Sequence, residues 1–206
     1  MIDIFNIESK LDLSNITCHS GGAEGADSFF ESIGEKYGVK TKAYSYKTHY
    51  HNSKNKVEIS DEDFSEGIIE INKANKILCR YGISKYLNLL ARNWSQVKYS
   101  DQIFAIGHIN EPGKKTIKGY YSKSKIQTVD GGTGYACTCA IIHNRPLYVF
   151  DQDKDKWFRW SYTSLRFIEV KDPKITFENF AGIGTREIKE NGIKAINELY
   201  ERTFNL

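Results

Sequence analysis

Three times in this chain a glycine cluster follows an apolar, β-leaning run and precedes a helical pattern: SGGAEGAD at residues 20–27, VDGGTGYA at 129–136 and AGIGTRE at 181–187. An ordinary connection needs one flexible residue, so the surplus glycines point to backbone that must approach something closely. Strands and helices that alternate through short turns fold most readily as a parallel sheet covered on both faces.

The intervening segments carry the same alternation. Residues 24–37 place Ala26, Phe29, Phe30, Ile33 and Tyr37 at helical spacing, and 38–46 alternate like a strand. A polar loop is expected at 49–56, followed by a helix with Phe64, Ile68, Ile71, Asn75 and Leu78 on one face. Residues 86–99 align Leu87, Leu90, Ala91, Trp94 and Val97 as a third helix. The runs at 102–109 and 145–151 are nearly all apolar, as central parallel strands are. Between them lies a long basic loop and a short apolar helix after the second glycine cluster. Residues 156–170 read as a small β excursion, a hairpin rich in aromatics. The C-terminal segment offers a strand, the third turn, and a helix with Ile193, Ile196, Leu199 and Tyr200 on its apolar side. The expected fold is therefore α/β: a Rossmann-like, mostly parallel sheet sandwiched by helices. No repeat or Pro-rich linker divides residues 1–206, so one domain is expected, with only three prolines in the chain.

Composition narrows the function. With 29 Lys and Arg against 26 Asp and Glu the net charge is +3, too small to mark a nucleic-acid or membrane surface. No run approaches the ~18 apolar residues of a membrane helix, and the opening MIDIFNIESK lacks a secretory layout, so a cytoplasmic protein without a membrane partner is expected. The four cysteines, Cys18, Cys79, Cys137 and Cys139, have no disulfide-framework spacing and are read as thiols.

In a parallel sheet the three turns share the carboxyl edge, where ligands of open α/β sheets bind and helix N-termini offer N–H groups to anions. The expected contacts are Ser20, Gly21, Gly22, Gly25 and Asp27 from the first turn, with Asp27 kept for a ribose hydroxyl. Asp130, Gly131, Gly132, Thr133 and Gly134 come from the second, and Gly182, Gly184, Thr185 and Arg186 from the third. Arg92, Gln96 and Tyr99 lie on another face of the third helix than Leu90, Trp94 and Val97; Arg92 is expected to reach a phosphate and Asn93 or Trp94 to read or stack on a base, the alternative being a buried Trp beside a surface arginine. None of the turns is a P-loop or a complete G-x-G-x-x-G, which removes ordinary ATP hydrolysis and dinucleotide redox chemistry. Cys139 and His143 share a helical side but Cys137 does not, and His49 and His51 sit in a polar loop; no metal and no cofactor is expected. The lysine- and tyrosine-containing stretch at 113–125 suits single-stranded nucleic acid, a solvated loop, or a lid over an anionic ligand.

SGGAEGAD, DGGTGYA and GIGTRE resemble the motifs of the SLOG superfamily, which includes Lonely-guy phosphoribohydrolases, DNA-processing protein A and molybdenum-cofactor carrier-like proteins. The resemblance implies a Rossmann-like fold and nucleotide binding at the glycine turns. Two departures qualify it. In many of those proteins the G-[ST]-R turn opens the domain, whereas here it lies at 182–187, so the chain looks circularly permuted. The Lonely-guy pattern also places a catalytic glutamate six residues after its second glycine, where this chain has Thr138. Without that acid the resemblance implies a binder that senses or sequesters a nucleotide-derived molecule, such as an ADP-ribose-type or cyclic-nucleotide signal. Its Lys-, Asn- and Ile-rich, Pro-poor composition fits an AT-rich bacterial, phage or other viral genome, where a counter-defence sponge would be useful. The alternatives are a nucleotide N-glycosidase and a single-stranded-DNA binder. Homo-oligomerisation is left open.

Overall fold

The computed structural model describes residues 13–204, so the opening decapeptide lies outside the described residues. After a 3-10 turn at Leu13–Asn15 the elements are β1 (Thr17–Ser20), α1 (Ala26–Lys36), β2 (Lys40–Ser45), β3 (Lys56–Glu58), α2 (Asp61–Leu78), a 3-10 turn at Ile83–Tyr86 and α3 (Leu87–Lys98). There follow β4 (Gln102–Gly107), β5 (Ile109–Asn110), β6 (Thr128–Val129), α4 (Thr133–Ile142), β7 (Leu147–Asp151), β8 (Lys156–Ser161), β9 (Arg166–Val170), β10 (Asn179–Gly184) and α5 (Glu190–Phe204).

Eight strands form one sheet in the order β3-β2-β1-β10-β4-β7-β8-β9. Pairing is parallel from β3 to β7 and antiparallel only in the β7-β8-β9 extension, so the α/β, mostly parallel reading holds and the excursion at 156–170 is a hairpin added to one edge. Three local expectations change. Lys56, at the end of the expected polar loop, begins with Val57 and Glu58 an edge strand that pairs with β2. The apolar run at 102–109 is broken after Gly107, because Ile109 and Asn110 leave the sheet to pair antiparallel with Val129 and Thr128. The second glycine cluster thus follows a two-residue ribbon outside the main sheet, and Gly182 and Gly184 belong to β10 itself.

The sheet is covered on both faces because its central strands are apolar on both. Along β4, Ile103 and Ala105 pack toward Leu78, Trp94 and Ala140 of α2, α3 and α4. Phe104 and Ile106 pack on the opposite side with Phe30 of α1 and Ile196, Leu199 and Tyr200 of α5. Trp157 and Trp160 are core residues, the first edge-on to Phe104 and Phe150, the second to Phe167. Trp94 also lies in the core, its ring centroid 4.5 Å from that of His143, which removes it as a base-stacking platform.

Helix ends are set by local chemistry. Ser60 caps α2 by accepting from Asp63 N at 3.0 Å, and Asp61, Glu62 and Asp63 complement the positive end of the dipole. Cys79 ends that helix in the left-handed conformation, φ 52°, and the chain turns so that Arg80 faces the second glycine cluster. Gly25 opens α1 at φ 95°, where a Cβ would meet Thr185 O at 2.5 Å and Arg186 Cα at 2.6 Å; only glycine lets the first and third turns touch.

β10, last in the chain, lies between β1 and β4. From it the chain winds outward through β1, β2 and β3 on one side and through β4 and β7 on the other. The gap between β10 and β4 is a topological switch point, and its carboxyl end is where such sheets open a crevice.

Candidate functional site

A cavity of about 550 Å³ opens at that crevice. Its walls are Ala23 and Asp27 after β1, Gly184, Thr185, Arg186 and Glu187 after β10, Gly107 and His108 after β4, and Asp130, Gly131, Gly132 and Thr133 before α4. α3 contributes Leu90, Arg92, Asn93 and Gln96, and Arg80, Tyr81 and Tyr86 stand at the side. The basic loop supplies Ile117, Lys118 and Tyr120, the part of it that faces the second turn.

Ten of the sixteen sequence-predicted residues line this cavity: Asp27, Arg92, Asn93, Asp130, Gly131, Gly132, Thr133, Gly184, Thr185 and Arg186. The other six are placed elsewhere, each with a structural task. Ser20 donates to Glu31 Oε1 at 3.1 Å and accepts from Gly22 N. Gly21 leaves room for Arg92: a Cβ there would overlap Arg92 Nη1 and come within 2.5 Å of Asp27 Oδ2. Gly22, at φ 64°, lies against the His51 ring, and Gly25 is the contact with the third turn. Gly134 sits on Val129 O beneath the Arg80 guanidinium, and Gly182 lies under the Phe30 ring, with no space for a methyl group at either.

Asp27 is engaged within the protein. Its Oδ2 accepts from Gly21 N at 3.1 Å and its Oδ1 from Gly184 N at 3.0 Å, so one carboxylate ties the first turn to the end of β10. Both oxygens thus have protein partners, while the residue still lines the cavity in which the ribose contact is expected of it. Burial pushes its pKa up to about 6, against the pull of Arg92 and of the Gly184 N–H.

Arg92 is only 4 % exposed. Its Nη1 reaches Gln96 Oε1 at 3.4 Å, Nε finds no acceptor among the described residues, and Gln96 Nε2 is likewise unpartnered. Burial lowers its pKa and Asp27 opposes that shift, yet the two form no direct ion pair. A guanidinium taken from water with so few partners is costly, of order several kcal/mol, unless an anion completes it.

The second turn is held open from behind. Arg80 donates to Gly131 O at 2.5 Å and Val129 O at 2.6 Å, and Asn93 Nδ2 donates to Gly132 O at 3.3 Å. While two of its carbonyls are held, the N–H groups of Gly131, Gly132 and Thr133, at the start of α4, meet no protein acceptor among the described residues. A ten-residue helix beginning there adds its positive end. Asp130 accepts from Tyr120 at 3.0 Å and lies 3.7 Å from Lys118, which ties the basic loop to this turn. The third turn is fixed by Gln152, which accepts from Lys189 N at 2.6 Å and donates to Glu187 O at 3.3 Å.

Sequence reasoning did not single out Arg80 or His108, whereas Gln96, expected on the same helix face as Arg92, does line the cavity. Arg80 follows a helix end with no motif around it, and its role depends on the left-handed Cys79. His108 was accessible in principle, being the first polar residue after an apolar strand aimed at the carboxyl edge. Its Nδ1 lies 3.1 Å from Asp153 Oδ2 without the geometry of a hydrogen bond, and its Nε2 is 3.4 Å from the Gln152 amide nitrogen.

His108, Asp151 and Asp153 bring three ligand-type atoms within 4.8 Å of one another. Their lone pairs are already engaged: Asp151 accepts from the N–H groups of Ile109, Asp153 and Lys154, and Asp153 pairs with Lys189 at 2.6 Å. Cys137 and Cys139 are buried in the core, where burial pushes both thiols up, and His143 pairs with Glu70 at 2.8 Å. No helix among the described residues is long and apolar enough to cross a membrane.

Comparison with protein-family models, curated proteins and solved structures gives no match to this chain.

Proposed function

We propose that the chain binds a nucleotide-derived anion in the switch-point cavity and holds it without turnover, as a sensor or a sequestering protein does. The observation that carries this reading is Arg92, a buried guanidinium with an unpartnered Nε, in the same cavity as three N–H groups at the start of α4 that meet no acceptor among the described residues. Together they make a site of the size and charge of a phosphate or pyrophosphate. Arg80, Lys118 and Arg186 add positive charge around it, and Tyr81, Tyr86 and Leu89 at the cavity wall offer faces for a base.

Binding without cleavage is favoured by how two of the cavity's three carboxylates are engaged, which leaves the exposed Glu187 as the acid a glycosidase would have to use. N-glycosidic hydrolysis needs an acid or base free to reach the sugar. Asp27 is held by two backbone N–H groups, and Asp130 by Tyr120 and Lys118. Thr138, where the resemblance would place the glutamate, donates to Gly134 O inside α4. On this reading the chain is a rearranged SLOG relative: counted from β10, its central strands run in the doubly wound order, with the third turn first. A phage or viral counter-defence role is the biological setting we propose for such a binder.

The test is incubation with nucleoside monophosphates, NAD, ADP-ribose and cyclic nucleotides, followed by chromatography of the denatured mixture, alongside mass spectrometry of whatever co-purifies. Intact ligand recovered at the protein's stoichiometry is the expected result. Released free base overturns the no-turnover reading in favour of an N-glycosidase. Retention of single-stranded DNA at low salt, with no nucleotide bound, overturns the small-molecule reading.

A further inference from the structure

A second cavity, of about 520 Å³, lies on the other side of the first turn. It shares Ala23 and Arg186 with the switch-point cavity, so a molecule passing over those two residues reaches both. Its chemistry is opposite. Glu24, Glu31 and Glu35 line it against the single cation Arg186, with Ser28, Ser32 and Ser53 between them. Glu31 is only 7 % exposed and has no cationic partner among the described residues; Ser20 and Ser53 donate to its two oxygens at 3.1 and 2.6 Å.

Two histidines complete the wall from the loop above. His51 Nδ1 accepts from Ser53 N at 3.3 Å, and its Nε2 is buried without a partner. Burial, with Arg92 adding to it, lowers both histidines, His49 to about 4, so each is a neutral ring near pH 7, able to donate at one nitrogen and accept at the other. Tyr50, 83 % exposed, stands between them with its ring free.

This set is hostile to a phosphate, because the carboxylates outnumber Arg186 and the histidines carry no charge. It has no metal-like grouping, since Glu31 is taken by hydroxyls and Glu35 by Lys54 and Asn55. The Glu24 carboxylate, for which no partner is found among the described residues, offers an acceptor, and His51, accepting at Nδ1, offers its buried Nε2–H as a donor; beside an exposed aromatic face they suit a neutral ring whose hydroxyls both donate and accept. We infer that this cavity is a subsite for a sugar ring with a free vicinal diol, joined to the anion of the neighbouring cavity across Ala23 and Arg186. The ligand class is then a nucleoside diphosphate carrying a second, uncharged sugar. The inference rests on the anion site proposed above and assigns the ligand's other half.

Calorimetric titration with ADP and ADP-ribose separates the two claims. Two added hydrogen bonds correspond to roughly a tenfold or greater preference for ADP-ribose over ADP. Ser32 is an exposed residue of α1 that faces this cavity. Ser32→Tyr fills the space from the surface and is expected to bring ADP-ribose down to the affinity of ADP while leaving ADP unchanged. Glu24→Gln, which removes the unpaired carboxylate from the cavity wall, is expected to reduce the preference in the same way. Equal affinities in the unaltered protein, or a preference that survives Ser32→Tyr, overturns the sugar subsite and leaves the anion site standing. Failure of ADP and ADP-ribose alike to bind overturns both.

Discussion

Asp27 makes the site's electrostatics measurable without any ligand. Its carboxyl is 5 % exposed, and burial raises its pKa from 3.8 to about 6. A folded-state value above the unfolded one means that the native protein binds the extra proton, so this group's contribution to stability falls as pH rises from about 4 through 6. The full difference, 6 − 3.8 ≈ 2.2 units, corresponds to about 3 kcal/mol. Between pH 4.5 and 7.5 the linkage relation leaves about 2 kcal/mol of it. Asp27→Asn removes the titration. It keeps one carbonyl oxygen but turns an NH₂ toward either Gly21 N or Gly184 N, a mismatch of about 1–3 kcal/mol at any pH. Urea unfolding of both proteins at pH 4.5 and 7.5 therefore gives a difference that changes by about 2 kcal/mol, in the direction that favours the variant at high pH. Carboxylates whose pKa is lowered, such as Asp63, Glu70 and Asp153, titrate in both proteins and cancel. A stability difference that is the same at the two pH values would refute the placement of Asp27 as a buried, proton-binding clamp.

Arg92→Met should keep the fold, since a buried charge replaced by an apolar side chain of similar length is tolerated, while affinity for ADP or pyrophosphate falls roughly 10- to 100-fold; circular dichroism and calorimetry check the two halves. Gly132→Val should also stay folded, because the nearest atom to a Cβ there is Leu90 Cδ2 at 3.8 Å, yet lose affinity through the obstructed N–H groups, as a melt paired with a titration would show. Gly182→Ala should do the reverse: overpacking against Phe30 costs about 1–3 kcal/mol in urea unfolding, with ligand affinity per folded molecule unchanged. Affinity for a pyrophosphate probe should weaken as pH rises through about 6, because ionised Asp27 returns negative charge beside Arg92; proton uptake on binding, measured by calorimetry in buffers of different ionisation heat, tests the sign.

The parallel sheet was legible because its evidence is local and repeated. Each strand before a turn is apolar at both parities, as Ile103–Phe104–Ala105–Ile106 shows, and each helix after a turn carries its apolar row at three- and four-residue spacing. Which glycines face a ligand was not legible, because glycine serves two masters with one signature. Gly131 and Gly132 expose backbone to the cavity, whereas Gly182 and Gly134 make room for Phe30 and for Val129 O. The distinction depends on which side chain crosses the turn from a distant element. Asp27 shows the same limit: an acid at the end of a glycine turn looks ready for a ligand, and only the arrival of β10 from 157 residues away turns it into a clamp.

That clamp explains how a turn near the C-terminus works beside one near the start of the chain. β10 pairs with β1 and with β4, so the segment that closes the sheet is also the one that completes the cavity. Gly184 N seeks an acceptor as β10 docks, and Asp27 is the buried carboxylate that supplies it; the same carboxylate draws Gly21 N inward and leaves the space in which Arg92 lies. Docking of the last strand, ordering of the first turn and placement of the buried guanidinium are therefore one cooperative event rather than three. The anion site depends on this event, since without β10 there is no third turn, no second ligand for Asp27 and no reason for Arg92 to remain out of water. An order of motifs along the chain that differs from their order in space costs the site nothing, because what the cavity requires is that strand ends meet at the switch point, and the sheet's register, not the sequence of its connections, brings them there.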